Sequence, residues 1–416
     1  MTPSTTVTDR TSPTPAVRTP RRLGHARAFI AIAAIFVLFM AASSAPSPLY
    51  VVYQQLWAFS PTTLTVVFAV YVVGLVCSLL TLGALSDHIG RRPVLGAAIA
   101  LEAVSLVLFS VAGNVTVLLI ARVLQGIATG AAMTTLGATL IDLNPPHAPR
   151  RAGVVNGVVP PAGLALGALG CGILVQYGPA PTHLVFELLL GGMVLAAVAV
   201  WTLPETSARR PGARHSLIPK LGVPPLIRGH LLALVPILLA SWALVGLYLS
   251  LGPSIAAGLL GLHSHLIGGL VVGLFCGAGA LTAFVFRAAD PHPIQLWSPA
   301  LLALGAAVSL VGVQLGIVWP AITGTVIAGI GFGGAALTSF SALVKLAAPE
   351  QRGELLAVAL VISYIAFSVP AVAAGLASTA YGLHPTAVVY AAAVILFGVL
   401  ALVARIVRGR RVAAEA

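Results

Sequence analysis

Phe29-Ile-Ala-Ile-Ala-Ala-Ile-Phe-Val-Leu-Phe-Met40 and Leu188-Leu-Leu-Gly-Gly-Met-Val-Leu-Ala-Ala-Val-Ala-Val200 contain neither a charge nor a polar side chain. Such runs exclude a transmembrane β-barrel, whose strands alternate in polarity over about 10 residues. They suit helices that cross a bilayer, each needing roughly 20 apolar residues. The rest of the chain agrees. Of 416 residues 59% are hydrophobic and 8% charged, with a mean hydropathy of +1.04, whereas a soluble domain carries about a quarter charged residues. Cys77, Cys171 and Cys276 fall in separate apolar runs, where a thiol is a small packing residue, so no disulfide framework follows.

Working outward, apolar runs punctuated by Gly, Pro or charge predict spans near 28–50, 61–82, 93–112, 116–142, 151–176 and 183–203. A polar linker from Pro204 to Arg228 interrupts the pattern. Six further runs follow near 229–252, 264–287, 295–315, 318–342, 353–380 and 385–406. The Thr-, Pro-, Ser- and Arg-rich residues 1–27 read as a disordered tail. The first run resembles a signal peptide in its basic flank and in Ala41 to Ala45, yet it is long and eleven more follow, so it reads as the first span. The predicted organisation is therefore a tail 1–27, a six-helix bundle 28–203, a linker 204–228, a second bundle 229–407 and a tail 408–416. The fold class is an all-α polytopic membrane protein with twelve transmembrane helices.

Basic residues set the orientation. Of the 22 Lys and Arg, only Arg122 lies inside a span; the others flank alternate ends of the spans, in the first tail, at Arg91, Arg92, Arg150 and Arg151, through the linker, at Arg287, Lys345 and Arg352, and at Arg405, Arg408, Arg410 and Arg411. Lys and Arg collect on the cytoplasmic side, which predicts cytoplasmic termini, a cytoplasmic linker and a multi-pass protein of the cell inner membrane. The net charge of +12 is then topological and does not call for nucleic acid. The halves also echo each other, Pro93 with Pro293, Ala148-Pro149 with Ala348-Pro349 and Gly153 with Gly353. Slightly out of that register, Gly126-Ile-Ala-Thr-Gly-Ala-Ala is similar to Gly329-Ile-Gly-Phe-Gly-Gly-Ala-Ala. An even number of spans per half makes the repeats parallel, the plan of alternating-access carriers with a midplane site.

Between spans 2 and 3 the chain reads Gly83-Ala-Leu-Ser-Asp87-His-Ile-Gly90-Arg91-Arg92-Pro-Val-Leu95. This resembles the signature loop of the major facilitator superfamily, with His88 where that family usually has Arg or Lys. In physical terms Gly83 permits close packing of span 2, Gly90 supplies a turn, and Asp87 can face a helix N-terminus, which carries about half a positive charge; the start of span 11 near Gly353 offers one. The resemblance implies a charge network of Asp87 and Arg91 with an acidic residue at the end of span 4, here Asp142: a conformational latch comprising Gly83, Asp87, Gly90, Arg91, Arg92 and Asp142. The bland alternative is ordinary loop charge. Arg122-Val-Leu-Gln125-Gly126-Ile-Ala-Thr-Gly130 in span 4 is similar to a second family motif. An arginine in a span is unfavourable by a few kcal/mol and normally faces a cavity or partner; snorkelling to the interface is the alternative. In span 5, Gly167-Ala168-Leu-Gly170-Cys171-Gly172 resembles the drug-antiporter motif without its proline; Pro160-Pro161 supply a kink at another register, and small-residue packing is the competing explanation. Leu203-Pro-Glu205-Thr206 is a family-type ending of span 6 that says little about substrate.

A proton-coupled carrier needs a titratable group within a span. Glu102, about ten residues into span 3, is the candidate, with neutral packing as its alternative; Glu187 near the outer end of span 6 can snorkel, and the histidines lie in loops, tails or span ends. The resemblance implies a cavity lined by spans 1, 4, 7 and 10 and their neighbours, to which Ser44, Ser47, Tyr50, Trp242, Tyr248, Phe332 and Tyr364 are assigned, with Ser43, Tyr53, Ser339 and Phe367 as further members. Such a lining suits amphipathic solutes, and the absence of an acidic residue in span 1 favours neutral or weakly anionic ones.

Other classes fit less well. The only lysines, Lys220 and Lys345, sit in no Gly-Lys-Ser/Thr loop, which excludes an ATP-driven pump of that type. Buried serines lack a histidine within reach, so no hydrolase is expected, and His263 with His265 lacks a third metal ligand. The duplicated halves favour a carrier over a channel. The expectation is a monomeric, proton-coupled antiporter that exports small amphipathic compounds without cofactor or metal, or, as alternative, an importer of a small metabolite or organic anion using Arg122.

Overall fold

The computed structural model describes residues 23–145, 147–148, 150–219, 222–262, 264–346 and 352–415. Among them there is no β-strand, and 12 helices are long and apolar enough to cross a membrane. In chain order these spans 1 to 12 are His25–Trp57, Pro61–Leu82, Arg91–Ser110, Val115–Asp142, Arg151–Tyr177, Leu184–Thr202, Ile227–Ser250, His265–Val285, Pro291–Leu315, Val318–Ser339, Glu354–Tyr381 and Leu383–Arg408. The last helix continues to Glu415 and the first starts at His25, both beyond the apolar stretches read from sequence. Backbone hydrogen bonding does not stop where apolar side chains end. Span 1 is interrupted at Ala45–Pro46, where a missing N–H breaks the ladder, while span 5 runs as one helix through Pro160 and Pro161. Residues 1–22, Lys220, His263 and the loop 347–351, on which parts of the expected tail, linker, histidine pair and interhelix loop fall, lie outside the described residues.

Four crossings, spans 3 to 6, separate the short loop 83–90 from the linker, and an even number returns the chain to the same side; both therefore share one face of the bundle, called here the linker face, and the opposite one is the far face. Glycine sets the packing inside each half. A Cβ on Gly126 would stand 2.1 Å from the carbonyl oxygen of Tyr71, and one on Gly130 2.4 Å from that of Leu75; span 4 lies backbone to backbone on span 2. The second half repeats this contact. A Cβ on Gly329 would meet Phe275 O at 2.4 Å and one on Gly333 would meet Gly279 O at 2.2 Å, joining span 10 to span 8. The sequence echo between the two glycine segments is thus an echo of one helix crossing, the close approach that small residues allow in lipid.

The halves meet along two seams. Span 5 lies against span 8, where Gly172 and Gly269 leave 3.1 Å between the Cβ position of one and the Cα of the other and Gly273 has Leu169 upon it. Toward the far face, Gln176 Oε1 accepts from Ser264 Oγ at 3.1 Å and from the His265 N–H at 3.0 Å. Span 2 lies against span 11, with Thr62 and Thr379 hydroxyls 2.8 Å apart and Gly375 fitted onto Thr65. Both seams are closed at the far face. Nearer the linker face, Gly153 and Gly157 of span 5 have open space beside them.

Candidate functional site

Between the halves, at mid-depth, a cavity of about 70 Å³ is bounded by spans 1, 2, 4, 5, 7 and 11. Its walls are mostly aromatic and aliphatic: Phe68 packs on Phe367 at 4.8 Å between ring centres and Trp242 on Tyr364 at 5.1 Å. The Tyr364 hydroxyl reaches Met133 Sδ at 3.5 Å, so spans 11 and 4 touch across the cavity. Among the described residues the charged group on its wall is Arg122, with the hydroxyls of Ser43, Ser47 and Tyr71 beside it. Sites for drug-sized molecules measure about 300 Å³ or more. This cavity is far smaller.

Behind Arg122 lies a polar cluster inside the first bundle. Arg122 is 2% exposed and Glu102 0%, which removes snorkelling for the first and a lipid-facing position for the second. Arg122 Nη1 donates to Gln125 Oε1 at 2.6 Å and to Ser43 O at 3.1 Å, and Nη2 donates to the Tyr50 hydroxyl. Its guanidinium carbon sits 5.2 Å, 5.3 Å and 5.6 Å from the ring centres of Tyr50, Tyr71 and Phe109, contacts of about 0.5–2 kcal/mol each. Gln125 Nε2 donates to Glu102 Oε1 at 3.0 Å and to Ala42 O at 3.0 Å. The Gln125 amide therefore stands between carboxyl and guanidinium, bonded to both. Glu102 Oε2 and Arg122 Nε have no hydrogen-bond partner. The cluster thus joins a buried carboxyl with one unpartnered oxygen, through a single amide, to an arginine that faces the central cavity.

The cavity assignments divide. Ser47, Trp242 and Tyr364 line the central cavity. Ser44 does not; its hydroxyl donates to Leu164 O at 2.8 Å in the contact between spans 1 and 5. Tyr50 is turned inward onto Arg122, Tyr248 bonds Thr325 at 2.9 Å inside the second bundle, and Phe332 stacks on Phe275 at 5.3 Å. Each lies on a face of its helix rotated away from the seam. The glycines of span 5 serve two contacts, Gly167 against Ala41 O of span 1 at 2.1 Å and Gly172 against span 8. Glu187 is exposed in the first turn of span 6.

A second cluster occupies the linker face of the first bundle. Arg91 Nη1 pairs with Asp87 Oδ1 at 2.6 Å and Arg91 Nε with Asp142 Oδ2 at 3.1 Å; Nη1 also meets Ser86 Oγ at 2.5 Å. Glu205, which sequence reasoning treated as punctuation, accepts from the backbone N–H of Arg91 at 2.8 Å and of Arg92 at 3.3 Å. It caps span 3, whose preceding residue, Gly90 at φ +112, has no side chain to do so. A Cβ on Gly90 would stand 2.7 Å from Glu205 Oε2. Arg92 returns the contact by donating to Val200 O at 3.1 Å and Trp201 O at 2.6 Å, closing the carbonyl end of span 6. Thr206 Oγ1 donates to Asp142 Oδ2 at 2.9 Å, Ser207 Oγ to Asp87 O at 3.0 Å and the Arg210 N–H to the same oxygen at 3.2 Å. The linker is thereby tied to the carboxylate of Asp142 at the end of span 4 and to the backbone carbonyl of Asp87 in the loop. The Asp87 carboxylate, expected to face the start of span 11 near Gly353, is paired with Arg91; the side chains of residues 351–353 lie outside those described. The signal that could have found Glu205 is the uncapped start at Gly90-Arg91, which needs an acceptor from elsewhere.

Twelve helices in two matched bundles, closed over a midplane cavity, define a multi-pass membrane carrier. The sequence profile of the Major Facilitator Superfamily matches residues 30–371, and the chain belongs to that family; it is a transporter and not an enzyme. A bacterial homologue of the human lysosomal transporter Spinster, solved in inward-facing unoccupied and occupied conformations, shares the fold with a TM-score of 0.69 in both states. The identity is 13%, over 92% of this chain and 97% of the unoccupied one. The multidrug resistance protein MdtL of Escherichia coli O139:H28 is 25% identical over 270 residues, 62% of this chain and 68% of MdtL. An MFS-type transporter, paaT, of Penicillium rubens is 36% identical over 78 residues, which span 19% of this chain and only 14% of paaT.

Proposed function

We propose that the protein is a proton-driven antiporter that exports small amphipathic, neutral or weakly anionic compounds from the cell. It works as a monomer in the cell membrane with both termini and the linker cytoplasmic, so that the linker face is the cytoplasmic one. The observation that carries this reading is the chain Glu102–Gln125–Arg122, buried in the first bundle and ending on the wall of the central cavity. A proton arriving at Glu102 changes the charge opposite Arg122, and Arg122 holds spans 1 and 4 together through Ser43 O and Tyr50. Protonation and the shape of the cavity wall are thus linked through one amide. Similarity to MdtL, named for multidrug resistance, supports export. The Asp87–Arg91–Asp142 cluster acts as the latch: it is made while the far face is sealed, and its rupture accompanies the rocking of the halves.

The test is transport in inverted vesicles, offered a panel of dyes and metabolites under an imposed pH gradient. Accumulation that follows the gradient and is lost in Glu102→Gln supports the reading; uptake of dyes indifferent to the gradient would remove it. Import of an organic anion is the second reading, favoured by Arg122 as the charged group on the cavity wall. In right-side-out vesicles it gives gradient-driven uptake of anions and none of neutral dyes.

A further inference from the structure

The second bundle holds a cavity of its own. It measures about 290 Å³ and lies among spans 7, 8, 9, 10 and 12, apart from the central one. Its position follows from the repeat. Gly126 on Tyr71 corresponds to Gly329 on Phe275, so Arg122, one turn before Gly126, corresponds to Thr325, one turn before Gly329. Ser105 meets Ala121 in the first half as Ser309 meets Gly324 in the second, so Glu102 corresponds to Ala306 and Phe109 to Val313. Tyr248 bonds Thr325 as Tyr50 bonds Arg122. Thr325, Ala306 and Val313 all line the second cavity. It is the space that a guanidinium, a carboxyl and a phenyl ring fill in the first bundle and that smaller groups leave open here.

From this geometry we infer that the second bundle carries a separate binding site for a neutral aromatic or alicyclic molecule with one hydrogen-bond donor. Most of the lining is Leu, Ile, Val and Ala, and no charged side chain is present among the described residues; a carboxylate or ammonium there would be buried without a partner. Apolar cavities of about half this size already bind benzene. The polar end is specific. Thr325 donates its proton to Ala321 O at 2.8 Å, which leaves Tyr248 to donate to Thr325. The Ser309 hydroxyl, on the same wall, is directed at the Tyr248 oxygen; with its proton given to Tyr248, what remains free is acceptor lone pairs, which match a phenol and not a ketone or carboxylate. Leu260, Leu262, Ile267 and Val318 mark the far-face end, the side from which a ligand enters. Span 7 forms a common wall, presenting Leu244, Leu247 and Tyr248 to this site and Trp242, Val245 and Leu249 to the central cavity. Occupancy would therefore reach the transport cavity by moving span 7.

The test uses the full chain in phosphatidylcholine nanodiscs, photolabelled with a diazirine-bearing 2-naphthol and mapped by peptide mass spectrometry. Labelling is expected on spans 7, 9 and 10 around Leu247, Ala306 and Ile322, displaced by excess 2-naphthol but not by 2-naphthoate. It falls at least tenfold in Ala306→Phe, which fills the space, and is retained in Tyr364→Ala, which removes a ring from the central cavity and from Trp242 and leaves every lining residue of the second cavity in place. If Ala306→Phe does not yield a monodisperse protein, Ala391→Leu fills the same space from span 12. Labelling that survives the filling variants, that is lost in Tyr364→Ala, or that naphthoate displaces equally would overturn the inference. So would labelling of these peptides by a photoactivatable acyl-chain lipid that excess 2-naphthol fails to displace, since the space then belongs to the bilayer.

Discussion

The two bundles share one frame and fill it oppositely. In the first, the space beside the glycine crossing of spans 2 and 4 holds Arg122, Gln125 and Glu102, each bonded and each nearly inaccessible. In the second, the same crossing of spans 8 and 10 is flanked by Thr325, Ala328 and Ala306, and a cavity of about 290 Å³ remains. Backbone packing is therefore separable from the chemistry placed beside it. A duplicated fold gains a division of labour: one half carries a buried polar cluster, the other carries room. A charged cluster in both halves would double the desolvation to be offset in each conformation; concentrating it in one leaves the partner bundle free to rock as an apolar body.

The sharpest way to break the comparison is to make the first core as neutral as the second. Glu102→Gln keeps an acceptor for the Gln125 amide at its 3.0 Å distance but carries no titratable proton. Gradient-driven transport in inverted vesicles is expected to fall by at least about a hundredfold, near 2.7 kcal/mol, while substrate still binds with unchanged affinity. Transport that continues to follow the pH gradient would place the titrating group elsewhere.

Next comes the frame itself. Gly126→Leu thrusts a side chain onto Tyr71 O, where a Cβ already stands 2.1 Å away, and Gly329→Leu does the same to Phe275 O. Each should destabilise the protein by about 3 kcal/mol, read as a lower midpoint in thermal unfolding, and by similar amounts in the two halves. Gly96→Leu, with nothing within 4 Å of its Cβ position, is the control and should leave the midpoint in place. A large difference between Gly126→Leu and Gly329→Leu would mean that the crossings are not equivalent.

These effects also measure what the sequence discloses. The spans are legible because bilayer thickness fixes their length and the cost of exposed backbone in lipid fixes their conformation. Arg122, Gln125 and Glu102 stand out because polar groups inside apolar runs are few. What stays hidden is helix rotation. Tyr50 and Tyr248 are as plausible for a central cavity as Trp242 and Tyr364, yet a turn of the helix about its axis sends the first pair into their own bundles and the second pair to the seam. In soluble helices the apolar stripe reveals the inner face; here both faces are apolar, one toward lipid and one toward protein, so periodicity is mute. The second cavity is hidden for another reason, because empty space follows from small residues on spans 9, 10 and 12 at once, among them Ala306, Ala321 and Ala391, far apart along the chain.

The linker-face cluster gives smaller effects. Asp87→Asn removes one carboxylate from Arg91 and leaves Asp142 at 3.1 Å as its partner. Turnover is expected to fall roughly tenfold, about 1.4 kcal/mol, with substrate affinity within twofold, because the cluster biases conformations without touching the cavity. Transport kinetics at saturating and limiting substrate separate the two terms. A weakened affinity with unchanged turnover would exclude the latch role.

The smallest expected change is at Glu205, whose carboxylate accepts from two backbone N–H groups at the start of span 3. Glu205→Gln retains one acceptor oxygen and loses the charge that favours the positive helix end, an effect of about 0.3–1 kcal/mol. Glu205→Ala removes the cap and should lower stability by about 1 kcal/mol. Because Gly90 at φ +112 leaves no room for a local cap, Gly90→Ser should fail to rescue Glu205→Ala, its Cβ being strained at that backbone angle. Thermal unfolding of the two single variants and the double variant settles the point: if Gly90→Ser restores the midpoint, the start of span 3 can be capped from its own residues, and the linker contact is incidental to holding the loop in place.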